Sequence, residues 1–414
     1  MIPRLLRCRI LEALADNPVV FLQGARQTGK STLVQSLVEP EYRAEYLTLD
    51  DAAVLAAARG DPQGFIEGVG GPVIIDEVQR VPELFLAIKA SVDRNREPGR
   101  FLLTGSANVR IVPALSESLV GRVEILTLWP FSQDEIDRTD GRFIDWLFTS
   151  KPAKVARVDP DSRQIATRLL SGGYPEAVRR QALDRRKAWF GSYINTILQR
   201  DVRDMSNIEG LTELPRLLTL LAARSSSLLN YAEISRSSAI AQTTLKRYLS
   251  LLEATFLIQL LPPWATNLGK RVVRSPKMQL CDTGLTSSLL GIDETRLKTD
   301  AILAGQLLEA FVVMELRKQS SWSTIQPRLH HYCSHARHEV DVVLEEPGGK
   351  VVGVEVKAAT SIGDRDLRGL KELAEIAGDR FIRGIVIYQG DQIVPFARNV
   401  HAIPLSCLWT GVTA

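Results

Sequence analysis

A multi-domain α/β protein built on a mostly parallel, helix-covered sheet is the fold class this sequence predicts. Two patterns carry the prediction. Short apolar strands alternate with helical segments up to residue 128, and two strictly alternating segments, 339–344 and 351–357, read as a hairpin in the C-terminal third. The 414 residues suggest about two to four domains of ~100–200 residues each. A composition of 45% hydrophobic and 24% charged residues excludes disordered, collagen-like and coiled-coil chains. Lys plus Arg (51) against Asp plus Glu (48) leaves +3, too even to identify a nucleic-acid partner from global charge, so such a partner must be argued from local patches.

The cysteines, Cys8, Cys281, Cys333 and Cys407, show no C-x-x-C spacing in a chain too long to need a disulfide framework, which fits a reducing cytoplasm. The N-terminal MIPRLLRCRILEALADNP has Arg4, Arg7 and Arg9 among its apolar residues, so it reads as an amphipathic helix and lacks the h-region of a signal peptide. No run approaches the ~18 apolar residues that span a bilayer, so no membrane is expected among the partners.

Taken in chain order, residues 18–22 (PVVFL) form an apolar strand leading into Gly24-Ala25-Arg26-Gln27-Thr28-Gly29-Lys30-Ser31-Thr32. This is G-x-x-x-x-G-K-S, the P-loop. Its glycines turn backbone N–H groups toward the phosphates of ATP, Lys30 reaches the β and γ oxygens, and the Ser31 hydroxyl ligates Mg²⁺. Residues 31–38 follow as a helix whose N-terminus faces the phosphate. Strands at 45–49 and 123–128 and helices at about 51–59 and 83–94 continue the alternation. Between them, Gly71-Pro-Val-Ile-Ile-Asp76-Glu77 is an apolar strand ending in two carboxylates, as Walker B requires: Asp76 holds Mg²⁺ through water and Glu77 polarises the attacking water. The next strand starts at Phe101 and ends in Thr104, Ser106 and Asn108, candidate γ-phosphate sensors. Arg122, just before the last strand, is placed either as a catalytic finger reaching a neighbouring subunit or as an exposed helix-end cation.

Residues 152–163 (PAKVARVDPDSR) are polar and broken by prolines, a linker signal that puts a boundary near 150. Trp189, Tyr193, Ile197 and Arg200 share one stripe of an amphipathic segment, 185–204, read as a lid helix with Arg200 a candidate second sensor. Residues 212–261 then read as three helices with helix-turn-helix spacing. The third carries Gln242, Thr243, Thr244, Lys246 and Arg247 on its leading half, the residue types a DNA major groove meets, and Leu245, Tyr248, Leu249 and Leu252 on its inner face. Strands at 256–261 and 278–281 flank Lys270, Arg271, Arg274 and Lys277, a basic wing for phosphates, with Trp264 its one aromatic suited to base stacking. Winged helices also serve as protein contacts, and both uses stay open.

Residues 302–316 form an apolar-faced helix bearing Glu309. In the hairpin, Val340, Val342, Leu344, Val352, Val354 and Val356 are expected on one face and Asp341, Glu355 and Lys357 on the other. A three-residue loop at 347–349 sets Asp341 opposite Glu355, where the pair could hold one Mg²⁺ beside a lysine that positions water, a phosphodiesterase constellation. A hairpin with solvated charges, or a nuclease fold kept only for binding, fits the same pattern. The histidines of His330-His331-Tyr-Cys333-Ser-His335-Ala-Arg-His338 match no closed zinc spacing.

The stretches GARQTGKST, IIDEVQ, LLTGSAN, LVGR and SGGYPEAV resemble the prokaryotic AAA-superfamily ATPases that carry a C-terminal restriction-endonuclease-like domain of unknown function, over nearly the whole chain. The resemblance implies ATP binding and hydrolysis by Gly24, Gly29, Lys30, Ser31, Asp76 and Glu77. It also implies a PD-(D/E)xK-like fold around Glu309, Asp341, Glu355 and Lys357. The expected organisation is a P-loop AAA-type ATPase domain over 1–150, a helical lid over 151–205, a winged helix over 206–290 and a restriction-endonuclease-like domain over 291–414. The expected cofactors are ATP and Mg²⁺, and the expected partners are DNA, a protein or further copies of the chain. The rival to a DNA-cutting ATPase is a nucleotide-dependent, antitoxin-like switch that binds DNA or protein without cleaving it.

Overall fold

The computed structural model describes residues 2–39, 41–106, 119, 121–151, 162–202, 213–267, 269, 271, 275–334 and 338–412. Asn108, Lys270, Arg274, His335 and the linker at 152–161 lie outside the described residues, as does the side chain of Arg200. The chain forms two compact units, Pro3–Phe131 with Ser250–Leu257, and Ser132–Leu249 with Ile258–Ala414.

In the first unit, five strands form one parallel sheet: β1 (Val19–Gln23), β2 (Glu45–Thr48), β3 (Val73–Asp76), β4 (Phe101–Gly105) and β5 (Val123–Thr127), in the order β2-β3-β4-β1-β5. The three inner strands are buried throughout and the two edge strands only in part, the signature of a sheet with helices on its faces. Helices Leu6–Asp16, Lys30–Gln35, Ala52–Gly60, Pro62–Gly68 and Leu84–Arg94 supply that cover. Local chemistry sets their ends. The Asp51 carboxylate accepts the N–H groups of Ala53 and Val54, and Asp61 accepts Gly64 N–H just before Pro62 opens the next helix. Val19, Phe21, Ile75 and Leu103 meet Phe85, Ile88 and Val92 in one core. Because the strands are parallel, the C-terminal ends of β1, β4 and β3 lie side by side, which puts Gly24, Thr104 and Asp76 on one edge.

The second unit holds an antiparallel three-stranded sheet, β6 (Ser227–Leu228), β7 (Ile258–Leu261) and β8 (Lys277–Leu280), ordered β6-β8-β7. Helix Leu214–Ala222 precedes β6, and helices Tyr231–Ser238 and Gln242–Ala254 lie between β6 and β7 in the chain. The expected amphipathic segment is helix Leu183–Thr196, which runs into a π-helical stretch, Ile197–Val202.

The motif SGGYP meets the turn after β8. Asp282 accepts the N–H of Gly173 at 2.7 Å through one oxygen and that of Leu285 at 2.9 Å through the other, capping helix Thr283–Leu290. Burial raises this carboxyl, opposed by Lys318 and the donated N–H groups. Asp282→Ala strands both buried donors and removes the cap, so it should cost about 3 kcal/mol of unfolding free energy. Urea denaturation with an unchanged midpoint would remove Asp282 from the framework.

Six strands form the C-terminal sheet: β9 (Arg328–Cys333), β10 (Glu339–Glu345), β11 (Val351–Lys357), β12 (Phe381–Tyr388), β13 (Val394–Ala397) and β14 (Val400–Pro404), ordered β13-β14-β12-β11-β10-β9. The hairpin register is the expected one over Val342–Glu345, with Val342 opposite Val354, and Asp341 reaches the neighbouring strand by accepting Val356 N–H at 2.9 Å. The alternative of a hairpin with one solvated face is corrected, because both faces are covered. Helix Ala301–Ser320 packs on Val342, Leu344, Val352, Val354 and Val356, while helix Arg368–Ala377 covers the other face with Val343 and Val351. A Cβ on Gly353 would stand 2.7 Å from Leu370, so this helix lies directly over the strand. Val340 joins that second face because the register shifts between Val340 and Val343.

Candidate functional site

Gly24 and Gly29 take φ of +156° and +93°, conformations that side chains avoid, and a Cβ on Gly24 would collide with the Leu128 carbonyl. These two positions let the loop after β1 fold back on itself. Lys30, 5% exposed, donates to the carbonyl oxygens of Gly24 and Ala25, each at 3.0 Å, so its ammonium lies inside the loop's curve. Thr28 closes the turn by donating to Ala25 O at 2.9 Å, while Arg26 is half-buried and Gln27, at φ +59°, is exposed. Ser31 and Thr32 stand in the first turn of helix Lys30–Gln35, which leaves the loop at Gly29. Arg4 was read only as an interruption of the apolar N-terminus. It donates to Thr28 O at 2.8 Å and Trp129 O at 2.5 Å, and its guanidinium lies over the Phe131 ring, so it pins the loop.

On the neighbouring strands, Asp76 is 2% exposed and accepts Tyr46 Oη at 2.8 Å and the Thr104 hydroxyl. Thr104 also accepts the backbone N–H of Glu77 at 3.1 Å. It is a buried strut between β3 and β4, and its hydroxyl is spent, which corrects its reading as a phosphate sensor. Glu77 adopts φ +59°, turning its side chain out of the strand, where Gln79 donates both to it and to Ser106 at 3.1 Å. Gln79 closes the IIDEVQ stretch but had no assigned role, and Tyr46 had no sequence signal, since its contact is made only by the strand beside it. Arg122 pairs with Asp93 at 2.5 Å. Val123 pairs with Val19 and Thr127 with Gln23, so Arg122 lies at the far edge of the sheet from the P-loop, about 16 Å away along the strands.

The donor set fits a magnesium nucleotide: an ammonium inside a glycine-shaped backbone cradle, a hydroxyl (Ser31) at a helix start and a buried carboxylate (Asp76) on the same edge.

The C-terminal constellation assembles with an addition. Lys277, on β8, reaches Glu309 at 2.8 Å and Asp341 at 3.1 Å, with side-chain exposure of only 5%. Asp341 accepts Val356 N–H at 2.9 Å through its other oxygen, and Lys357 pairs with Glu355 at 2.8 Å. Burial, then the neighbouring Asp341 carboxylate, raises both Glu309 and Glu355, against the pull of the lysines. Burial alone would lower Lys277; Asp341 and Glu309 outweigh it and hold it protonated. Glu309 and Asp341 already share the Lys277 ammonium, so the pair does not fit a divalent metal while that cation stays between them. Among the described residues, no group of three or more His, Cys, Asp or Glu side chains is placed to hold a metal ion.

The expected basic wing is also corrected. Arg271 makes a bidentate pair with Glu345 at 2.6 and 2.9 Å and Lys277 is buried, because both reach into the C-terminal sheet. Trp264, 0% exposed, packs against Tyr332 and is closed to bases. Lys246 and Arg247 are exposed as expected, with Leu245, Tyr248, Leu249 and Leu252 buried. His330 and His331 are buried and kept neutral, each lowered by burial to about 4, and His338 pairs with Glu372 at 2.6 Å. Among the described residues, no helix is long and apolar enough to cross a membrane.

Residues 16–137, which carry the parallel sheet, the P-loop after β1 and the buried carboxylate ending β3, match the AAA domain family, which supports a nucleotide-dependent ATPase. Residues 162–296 and 304–408 match two domains of unknown function. The uncharacterized proteins Rv2008c of Mycobacterium tuberculosis and Mb2031c of Mycobacterium bovis are each 32% identical over 407 residues, covering 97% of this chain and 83% of the relative. The chain belongs to their family. Among solved structures it is similar to a signal transduction ATPase with numerous domains, bearing a tetratricopeptide repeat sensor, from Pyrococcus horikoshii. That likeness has 13% identity over 77% of this chain and 45% of the other, with a TM-score of 0.27.

Proposed function

We propose that this ATPase is a nucleotide-driven switch that acts on duplex DNA. The loop from Gly24 to Thr32 would hold ATP, Ser31 and Asp76 would hold its Mg²⁺, and Glu77 would activate water for attack. Helix Gln242–Ala254 enters the major groove. The observation that carries this reading is the exposed leading half of that helix, with Gln242, Thr243, Lys246 and Arg247 outward and its apolar side buried. The succession of helix, strand, two helices and two strands, with the last strand central in the sheet, supports a winged helix. The reversal of Lys246 and Arg247 to Glu is expected to weaken duplex binding and lower the slope of log K against log salt by about one unit per lost phosphate contact. Unchanged binding in fluorescence anisotropy at all salts would turn this helix over to a protein partner.

For the C-terminal domain, a PD-(D/E)xK-like fold used for binding is the reading favoured by Lys277 among the carboxylates. Metal-dependent cleavage is the competing one, supported by the meeting of Glu309, Asp341, Glu355 and Lys357. Nicking of plasmid DNA with Mn²⁺ and ATP, lost in Lys357→Ala, would decide for cleavage.

A further inference from the structure

The C-terminal cluster already holds two cations of its own beside its carboxylates. Three carboxylates, Glu309 on helix Ala301–Ser320, Asp341 on β10 and Glu355 on β11, converge with two ammonium groups, Lys277 and Lys357. Lys277 is the more buried of the two lysines and the one that bridges two carboxylates, and the exposed Glu339 lies 3.9 Å from it. Of the six carboxylate oxygens, Asp341 Oδ2 is taken by a backbone N–H and Glu355 Oε1 by Lys357. Glu355 Oε2 is buried without a partner. A divalent ion between Asp341 and Glu309 would have to displace the ammonium and leave it buried beside a second cation, a juxtaposition that a low-dielectric setting disfavours.

We propose that the Lys277 ammonium is the resident cation of the Glu309, Asp341 and Glu355 cluster, standing in place of a divalent metal. The strand that completes the three-stranded sheet thereby supplies the charge that the C-terminal sheet needs. Lys277 ties β8 to β10 and to helix Ala301–Ser320, and the cluster is a metal-free structural joint. This inference is independent of whether the chain meets DNA, because it concerns only what neutralises the carboxylates.

The test is an electron paramagnetic resonance titration of the nucleotide-free, full-length protein with Mn²⁺. Any metal taken up near the P-loop is common to every chain compared. Wild type and Asp341→Ala should give the same binding curve, whereas Lys277→Ala should gain one Mn²⁺ per chain, and the double substitution Lys277→Ala with Asp341→Ala should lose it. Thermal melting should show Mn²⁺ raising the melting temperature of Lys277→Ala beyond any shift it gives wild type, since only a folded site binds the metal. Lys277→Met, which keeps the volume of the stem, replaces Lys277→Ala if the latter does not fold. A wild-type Mn²⁺ site that Asp341→Ala removes would overturn the proposal. So would a folded Lys277→Ala or Lys277→Met chain that gains no metal.

Discussion

Lys30→Ala should lose ATP binding, whereas Glu77→Gln should bind ATP as wild type does and turn it over about 10²–10³-fold more slowly. The difference follows from where the two charges act. The Lys30 ammonium sits inside the loop's curve on two backbone carbonyls, and it is the positive charge poised to exchange those carbonyls for phosphate oxygens. Its removal leaves the phosphate charge uncompensated before any chemistry begins. Glu77 is turned away from the buried end of β3 by its left-handed backbone and is steered by Gln79. The Gln substitution keeps the shape and removes only the charge that the proposed mechanism assigns to the water. Nucleotide affinity by fluorescent-analogue displacement and phosphate release measured on the same preparations separate the two. Equal loss of binding in both variants would refute the assignment of Glu77 to the water.

Arg122→Ala should leave ATP affinity nearly unchanged and lower turnover by about 10³-fold, the scale of a lost arginine finger. The sheet register excludes action in cis, since Arg122 precedes the strand whose other end lies beside the P-loop. It can therefore meet a γ-phosphate only in a second copy of the chain, after giving up Asp93. Mixing Arg122→Ala with Glu77→Gln protein should restore part of the activity, because one mixed interface joins an intact Glu77 to an intact Arg122. Turnover per chain independent of protein concentration, with no restoration on mixing, would leave Arg122 as a surface ion pair that fastens β5 to helix Leu84–Arg94.

Much of the ATPase unit was legible before the structure. The five strands and the helices at Ala52–Gly60 and Leu84–Arg94 start within a residue or two of their expected positions, because each is written in local apolar periodicity, whereas the P-loop helix ends three residues early at Gln35 and helix Pro62–Gly68 was not expected. The P-loop was legible for the same reason: its chemistry lies in nine consecutive residues. The hairpin register was also readable, since a period of two and a short turn leave few alternatives.

What the residues around the carboxylates and the wing do was decided by tertiary structure. Lys277 and Arg271 lie in a segment whose sequence reads as a solvated basic wing, and nothing within ten residues of Lys277 announces Glu309 or Asp341 as its partners. Helix Arg368–Ala377 likewise covers the face of β10 and β11 that alternation gave to charged side chains. Thr104 and Tyr46 acquired their roles only when parallel pairing brought three strand ends together. Periodicity and motif report forces acting between residues close along the chain. A buried charge is settled by whichever opposite charge the fold brings within hydrogen-bonding distance, and that partner sits 32 residues away for Glu309 and 64 for Asp341.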